Sequence, residues 1–195
     1  MVKADAYGLG AGPVAQALVA AGCKSFFVAH LEEGIALRKA VRDARIFVLH
    51  GPNPGTEADF AAFHLTPVLN CMEQVKGWVT FVGAHGKPAP AALQVDTGMT
   101  RLGLSRAEFD AVRANQGWMK ALDPQLLVSH FACADSPRHP LNRQQIERFA
   151  QFAQSLPGVT ASLSASSGIF LGETARFGLV RPGIALYGGN PRPGH

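Results

Sequence analysis

The sequence contains few cysteines, and they form no recognisable pattern. Cys23, Cys71 and Cys133 lie far apart and lack the CxxC spacing that metal and redox sites use. We interpret them as reduced, structural thiols, and no metal site is expected. Long apolar runs are missing as well, and no basic segment leads into a short apolar one with a cleavage site. Neither membrane insertion nor export is indicated, so a cytoplasmic location is expected.

Charged residues are scarce: they make up 16% of the 195 residues, and the net charge is +4. Lys and Arg are scattered along the chain, and aromatic residues do not alternate with them. This pattern favours a mildly basic surface over a nucleic-acid-binding face. Hydrophobic residues, at 47%, are plentiful enough for one sizeable core. The composition therefore predicts a globular domain with neither a nucleic-acid nor a membrane partner.

Short β-branched and aromatic runs alternate with longer segments of helical periodicity, which is typical of βα units around a parallel sheet. Eight candidate strands lie at Val2–Ala6, Ser25–His30, Arg45–Leu49, Leu65–Leu69, Ala91–Asp96, Leu126–Phe131, Thr160–Ala165 and Val180–Tyr187. Six candidate helices lie at Pro13–Ala21, Leu31–Val41, Thr56–Phe63, Cys71–Val82, Arg106–Asn115 and Asn142–Ser155.

Eight parallel strands are the number that closes a barrel. A doubly wound open sheet would alternate in the same way, but the chemistry-bearing residues follow the ends of many different strands. That distribution favours the carboxyl-terminal rim of a barrel. A complete barrel takes about 250 residues. The sequence thus predicts an α/β fold, a (β/α)8 TIM-type barrel that is incomplete at its N-terminal edge.

A lysine, Lys3, lies in the first candidate strand, Val2–Ala6. An amine that loses solvation among apolar neighbours can condense with an aldehyde, as a Schiff-base lysine does. On Lys3 alone this inference is weak, since most lysines are solvated surface residues. Its weight comes from the residues that follow, KADAYG at 3–8.

The stretch KADAYG resembles the pyridoxal-phosphate attachment motif of bacterial alanine racemases. The resemblance continues in chain order through VDTGMTRLG (95–103), SHFACAD (129–135), SASSG (164–168) and VRPGIALYG (180–188). It implies that residues 1–188 form the barrel domain of such a racemase and that 189–195 form a linker stub toward a missing C-terminal β domain. The implied reaction interconverts L-alanine and D-alanine through a pyridoxal 5′-phosphate aldimine, in the D-alanine supply for peptidoglycan.

By this resemblance, Lys3 carries the cofactor and is one of two catalytic bases, and Tyr7 binds the cofactor phosphate. Arg181 faces the pyridine nitrogen. An arginine cannot accept a proton and leaves that nitrogen neutral, which limits side reactions and suits simple proton removal and return at Cα. The remaining implied site residues are the phosphate ligands Ser167, Gly183 and Ile184 and the catalytic residues Arg101 and His130.

Three positions depart from the family pattern. Leu9 stands where the family commonly has His, and Ser166 stands where Asn is frequent. Gln94 occupies the position of a lysine that is carbamylated in many members and that positions Arg101. Because Gln is neutral, it could orient Arg101 by a hydrogen bond but would not supply the full negative charge of a carbamylated lysine.

Racemisation needs a base on each face of the planar intermediate. In the family the second base is a tyrosine from the C-terminal domain of the partner subunit in a homodimer. The two tyrosines here, Tyr7 and Tyr187, both lie within the predicted barrel. We therefore expect this chain to be a fragment that racemises alanine very slowly by itself.

Other readings stay open at this point. A single-domain protein of pyridoxal-phosphate homeostasis also uses a barrel without a β domain, and length favours it. A broad-specificity amino-acid racemase would carry the same motifs. A basic-amino-acid decarboxylase has an acidic partner for the ring nitrogen, and Arg181 argues against that class.

Overall fold

The computed structural model describes residues 1–87 and 89–192. The chain divides into two compact units: residues 1–92 with 116–123 form the first, and residues 93–115 with 124–195 form the second. Of the predicted linker stub 189–195, residues 193–195 lie outside the described residues. In the described part of the chain, none of the helices has the length and apolarity needed to cross a membrane.

The first unit contains three parallel strands, β1 (Ser25–Val28), β2 (Arg45–Val48) and β3 (Thr66–Leu69). The last three residues of each strand are buried, as expected for parallel strands covered on both faces. Stacked rings of Phe27 and Phe47, with centroids 4.8 Å apart, join β1 to β2. The helices of this unit are α1 (Ala11–Ala20), α2 (Leu31–Ala40), α3 (Glu57–Ala62), α4 (Met72–His85) and α6 (Gln116–Leu122).

The second unit is built around β5 (Leu126–Val128) and β6 (Thr160–Ser162), which pair in parallel. Strand β4 (Ala92–Gln94) runs from the first unit into the second, and the N–H of Val95 just after it donates to Val128 O at 2.9 Å. The helices are α5 (Arg106–Ala114) and α7 (Pro140–Gln154), together with 3₁₀ turns at Gly168–Leu171, Glu173–Ala175 and Ile184–Tyr187.

Six of the eight predicted strands and all six predicted helices are present, with ends shifted by a few residues. The α/β class with parallel strands is confirmed. Helix α6 was not predicted, because its seven residues, QGWMKAL, are too short to display a helical period.

The first predicted strand, Val2–Ala6, is wrong beyond its second residue. The N–H of Val2 donates to Phe27 O at 2.9 Å, so the chain meets β1 there. From Ala4 to Tyr7 the backbone instead has positive φ and turns left-handed. The alternating side-chain pattern could not reveal this turn, because contacts with distant residues stabilise it.

The last predicted strand, Val180–Tyr187, is also wrong. It is reduced to a single parallel bridge between Ala165 and Arg181, after which Ile184–Tyr187 forms a 3₁₀ turn. Pro182 has no N–H to donate to a neighbouring strand, which ends the pairing directly after the bridge.

Candidate active site

A left-handed turn, Lys3–Tyr7, begins at the predicted cofactor lysine. Its last four residues all have positive φ, between 51° and 58°, and none of them is glycine. This conformation costs roughly 1–2 kcal/mol for each residue with a Cβ. Strain of that size persists only where surrounding contacts offset it, and it is concentrated at functional sites.

Two carboxylates hold this turn. Glu33 accepts the N–H of Ala4 through Oε1 at 2.7 Å and the N–H of Ala29 through Oε2 at 2.6 Å. Asp5 Oδ1 accepts the N–H of Ala11, the first residue of α1, at 2.7 Å. Because Ala29 directly follows β1 and Glu33 lies in the first turn of α2, the lysine is placed at the carboxyl end of β1.

Tyr7 ends the turn, and 40% of the residue is exposed. Partial burial raises the pKa of its phenol above the ordinary 10.0. The phenol is therefore neutral at physiological pH and able to donate a hydrogen bond. Leu9, 63% exposed, is an apolar side chain and supplies no hydrogen-bonding group here.

In the second unit, the guanidinium of Arg181 is buried, with 2% of the residue exposed. Nη1 donates to Ser162 O and Nη2 to Ser129 O, each at 2.7 Å. Nη2 also lies 3.3 Å from Leu163 O and 3.3 Å from Nδ1 of His130. Burial lowers the pKa of Arg181 to about 10, which still leaves it charged at neutral pH. Carbonyl groups thus surround a fixed buried cation.

A buried amide connects the surroundings of Arg181 to helix α7. Gln145 Nε2 donates to His130 O at 2.8 Å and to Thr97 Oγ1 at 3.1 Å, while its Oε1 accepts the N–H of Ala132 at 2.9 Å. Thr97 Oγ1 and Ser129 Oγ are 2.9 Å apart. The main chain at His130 is therefore held by residues that follow β4 and β5 and by Gln145 of α7.

The loop after β4 carries Arg101, which is exposed. Asp96 shapes the loop by accepting, through Oδ1, the N–H groups of Gly98, Met99 and Thr100 at 2.9–3.0 Å. A rigid loop with an exposed guanidinium at its tip can receive an anionic group from solvent.

Gln94 binds main-chain groups of this loop on the far side of Arg101. Its Nε2 donates to Leu102 O at 3.3 Å, one residue beyond Arg101, and its own carbonyl accepts the N–H of Leu104 at 2.8 Å. At Gly103, with φ +115°, a Cβ would come within 2.6 Å of the main chain. Gln94 therefore holds the loop on both sides of Gly103, where the loop lies closest to the main chain of Val95 and Asp96.

Gly183 and Ile184 lead into the last 3₁₀ turn. Ser166 Oγ accepts the N–H of Gly183 at 2.8 Å and that of Ala185 at 3.3 Å. Ser166, at the position where the family often has Asn, thus fixes the start of this turn through its hydroxyl. The Ile184 residue itself is 42% exposed.

Ser167 is half-buried, and its hydroxyl donates to Pro191 O at 2.8 Å.

The predicted site residues fall into two groups. Lys3 and Tyr7 share one short turn in the first unit. Those of the second unit are Arg101, His130, Ser167, Arg181, Gly183 and Ile184.

Sequence reasoning missed three residues that hold these groups: Glu33, Asp96 and Gln145. Glu33 could have been noticed as an acidic residue in the first turn of a predicted helix, a position that often caps main-chain N–H groups. Asp96 starts a DTG sequence typical of Asx turns. Nothing in the sequence marks Gln145. Among the described residues, no cluster of three or more His, Cys, Asp or Glu could hold a metal ion.

The first unit carries an amine at the carboxyl end of β1, and the second carries a buried guanidinium and hydroxyl groups near the ends of its own parallel strands. The sequence profile described as "Alanine racemase, N-terminal domain" matches residues 1–191. The chain belongs to this family.

Individual relatives agree with the family. The chain is 50% identical to an alanine racemase of Rhodospirillum rubrum over all of its 195 residues, which cover 52% of that protein. It is 50% identical to a catabolic alanine racemase of Mesorhizobium japonicum, covering 51% of it. The chain thus spans about half the length of these curated relatives.

Solved structures give the same result. An alanine racemase from Bartonella henselae with covalently bound pyridoxal phosphate superposes with a TM-score of 0.94 at 38% identity, over 100% of this chain and 57% of that one. The biosynthetic alanine racemase of Pseudomonas aeruginosa gives 0.89 at 35% identity, over 100% and 53%. The fold is that of the barrel of the alanine racemase N-terminal domain.

Proposed function

We propose that this chain is the barrel portion of an alanine racemase and that it binds pyridoxal 5′-phosphate through Lys3. The observation that carries the proposal is the buried Arg181, held by Ser162 O and Ser129 O in a chain of this family. A guanidinium fixed in this way is suited to face a ring nitrogen without giving up a proton.

The donor set fits the cofactor. Tyr7, neutral because burial raises the pKa of its phenol, and the Ser167 hydroxyl can donate to a phosphate. The N–H groups of Gly183 and Ile184 add main-chain donors of the kind that bind phosphate at strand-to-helix turns. In this structure Ser167 Oγ and Gly183 N hold protein acceptors, which a phosphate would replace.

When bound, pyridoxal phosphate withdraws electrons from the α-carbon of an attached amino acid and so acidifies its proton. Lys3 would join the cofactor through its amine and would take or return that proton on one face. Arg181 would donate to the ring nitrogen and keep it neutral, which favours return of the proton to Cα. Arg101 would receive the substrate carboxylate, and His130 would keep Arg181 in place.

The finer expectations extend from this proposal. They are the interconversion of L- and D-alanine, a role in D-alanine supply for peptidoglycan, a cytoplasmic location and a homodimeric parent protein. The division into a domain at 1–188 and a linker at 189–195 is a prediction of the same kind. Because Lys3 serves one face only, we propose that the second base lies outside these 195 residues.

Borohydride trapping tests the proposal. The purified chain is incubated with pyridoxal phosphate and reduced, and the labelled peptide is mapped by mass spectrometry. We expect the label on Lys3, its loss in Lys3→Ala, and its retention in the control Lys76→Ala, which removes an exposed lysine of α4. Label spread over surface lysines would contradict the proposal.

The same protein tests the second base. We expect racemisation of L-alanine far slower than typical enzyme rates of about 1 to 10³ per second. Turnover within that range would show that the chain supplies both bases. Specific labelling of Lys3 with racemisation below that range is the outcome expected when the second base lies outside these residues.

A further inference from the structure

We propose that Glu33 is a positioning residue that sets Lys3 for reaction with its cofactor, an inference that rests on the proposed function. Glu33 lies in α2, thirty positions along the chain from the lysine. Its carboxylate acts on the main chain around Lys3 and has no assigned part in the chemistry itself.

The geometry is a three-way clasp made by one carboxylate. Oε1 accepts the N–H of Ala4, the residue directly after Lys3, at 2.7 Å. Oε2 accepts the N–H of Ala29 at 2.6 Å and that of His30 at 3.2 Å. One side chain thus ties the start of the left-handed turn to the end of β1 and to the N-terminus of α2.

The clasp is needed because the turn opposes its own backbone preferences. Ala4 is the first residue with positive φ after Lys3, with φ 51° and ψ 51°. Residues with a Cβ leave this region readily when nothing holds them. Val2 fixes the chain to β1 on one side of Lys3, and the Glu33 contact fixes the Lys3–Ala4 peptide on the other side. Loss of the Glu33 contact would free that peptide to rotate, and the Lys3 side chain would lose its fixed direction.

The acceptor must offer two oxygens and must be long enough to reach both sides. A carboxylate offers two oxygens and accepts N–H groups on each, whereas an amide offers one oxygen and one donor. Glu33→Gln can therefore hold either the Ala4 side or the Ala29 side, and its NH₂ would face an N–H on the other. Glu33→Ala holds neither.

The first experiment measures the rate at which pyridoxal phosphate and borohydride label Lys3, with Lys76 labelling as the internal reference. We expect Glu33→Ala to lower the Lys3 rate about tenfold, the loss that follows removal of a hydrogen bond to a charged acceptor. Glu33→Gln should give an intermediate rate. The matched control is Glu32→Gln, which removes the neighbouring exposed carboxylate of the same helix turn and should leave the rate unchanged.

A second readout does not depend on the cofactor. Amide hydrogen exchange in the unliganded chain should be about tenfold faster at Ala4 and Ala29 in Glu33→Ala, and unchanged in Glu32→Gln. Circular dichroism confirms that each variant is folded. If Glu33→Ala does not fold, Glu33→Gln decides by the same two readouts.

The outcomes separate this inference from the proposed function. If Lys3 is labelled specifically in the wild type, and both Glu33 variants label it at the wild-type rate, the inference is overturned and the proposed function stands. Faster exchange at Ala4 in a chain whose Lys3 is never labelled would overturn both, because Glu33 would then fold the turn with no cofactor to serve. Slower labelling together with faster exchange in Glu33→Ala supports the inference.

Discussion

The turn after Lys3 and the surroundings of Arg181 fix two basic side chains in opposite ways. At Lys3 the backbone is strained, since four successive residues have positive φ, and the side chains of Glu33 and Asp5 stabilise it by accepting main-chain N–H groups. At Arg181 it is the side chain that is in an unfavourable place, because the charge is buried, and neutral carbonyls solvate it. The first arrangement places the Lys3 side chain at the carboxyl end of β1, and the second keeps a buried guanidinium that is charged at neutral pH.

The largest effect should come from removing the buried cation. Arg181→Ala leaves a cavity and removes the donor to the buried Ser129 carbonyl, which costs roughly 1–3 kcal/mol when unsatisfied, whereas the Ser162 carbonyl keeps the N–H of Ser129. We expect the free energy of unfolding to fall by about 2–5 kcal/mol in urea titrations. A loss under about 1 kcal/mol would show that water or other donors replace the guanidinium.

A smaller effect of opposite sign should come from relieving the strained backbone. Ala4→Gly removes the Cβ that opposes positive φ at an exposed position and leaves the N–H that Glu33 accepts. We expect the free energy of unfolding to rise by about 0.5–1 kcal/mol.

The matched control for that variant is Ala107→Gly, at an exposed position of α5. There the same substitution should lower the free energy of unfolding by about 1 kcal/mol, because glycine is a poor helix former. Destabilisation of similar size by both variants would mean that the turn is not strained.

The smallest effect concerns the carboxylate of Glu108, in the first turn of α5. Ser105 caps α5, and its hydroxyl and N–H donate to Glu108, which lowers the pKa of that carboxyl below its ordinary 4.5. The stabilisation is therefore fully present above pH 4.5 and is lost as the pH falls through the lowered pKa.

Ser105→Ala should lower the free energy of unfolding by about 0.5 kcal/mol at pH 7, the low end for loss of a capping side chain, because this cap is exposed. The difference from the wild type should shrink as the pH falls below 4.5, and Glu108→Gln should abolish that pH dependence. Unfolding curves at several pH values measure both quantities. A difference that stays constant with pH would mean that the capping bonds to Glu108 contribute nothing.

The fold was largely predictable because β1 and β2 each end in three consecutive apolar residues, FFV and IFV, and the helices between the strands are amphipathic. The actual conformations of the first and last predicted strands, Val2–Ala6 and Val180–Tyr187, were not predictable. At one end, the conformation of KADAY depends on a carboxylate from α2 that no local pattern marks. At the other, Pro182 and the hydroxyl of Ser166 replace strand pairing with a turn.

The site was predictable only as a set of residue types. The motifs named Lys3, Arg101 and Arg181, since their chemistry can be read from the side chains. They did not name Glu33 or Gln145, because these residues act on main-chain groups that become neighbours only after folding. Residues that hold a site in place are harder to find from one sequence than residues that react.

The clasp at Glu33 also predicts an order of events during folding. Its contact with Ala4 spans 29 positions along the chain, so the left-handed turn gains its stabilising acceptor only after β1 and α2 have formed and come together. The first residues of the chain are therefore among the last to reach their native conformation. A cofactor that arrived earlier would meet an amine on a mobile segment, so the reactive lysine becomes available only on a chain whose first βα unit has already folded.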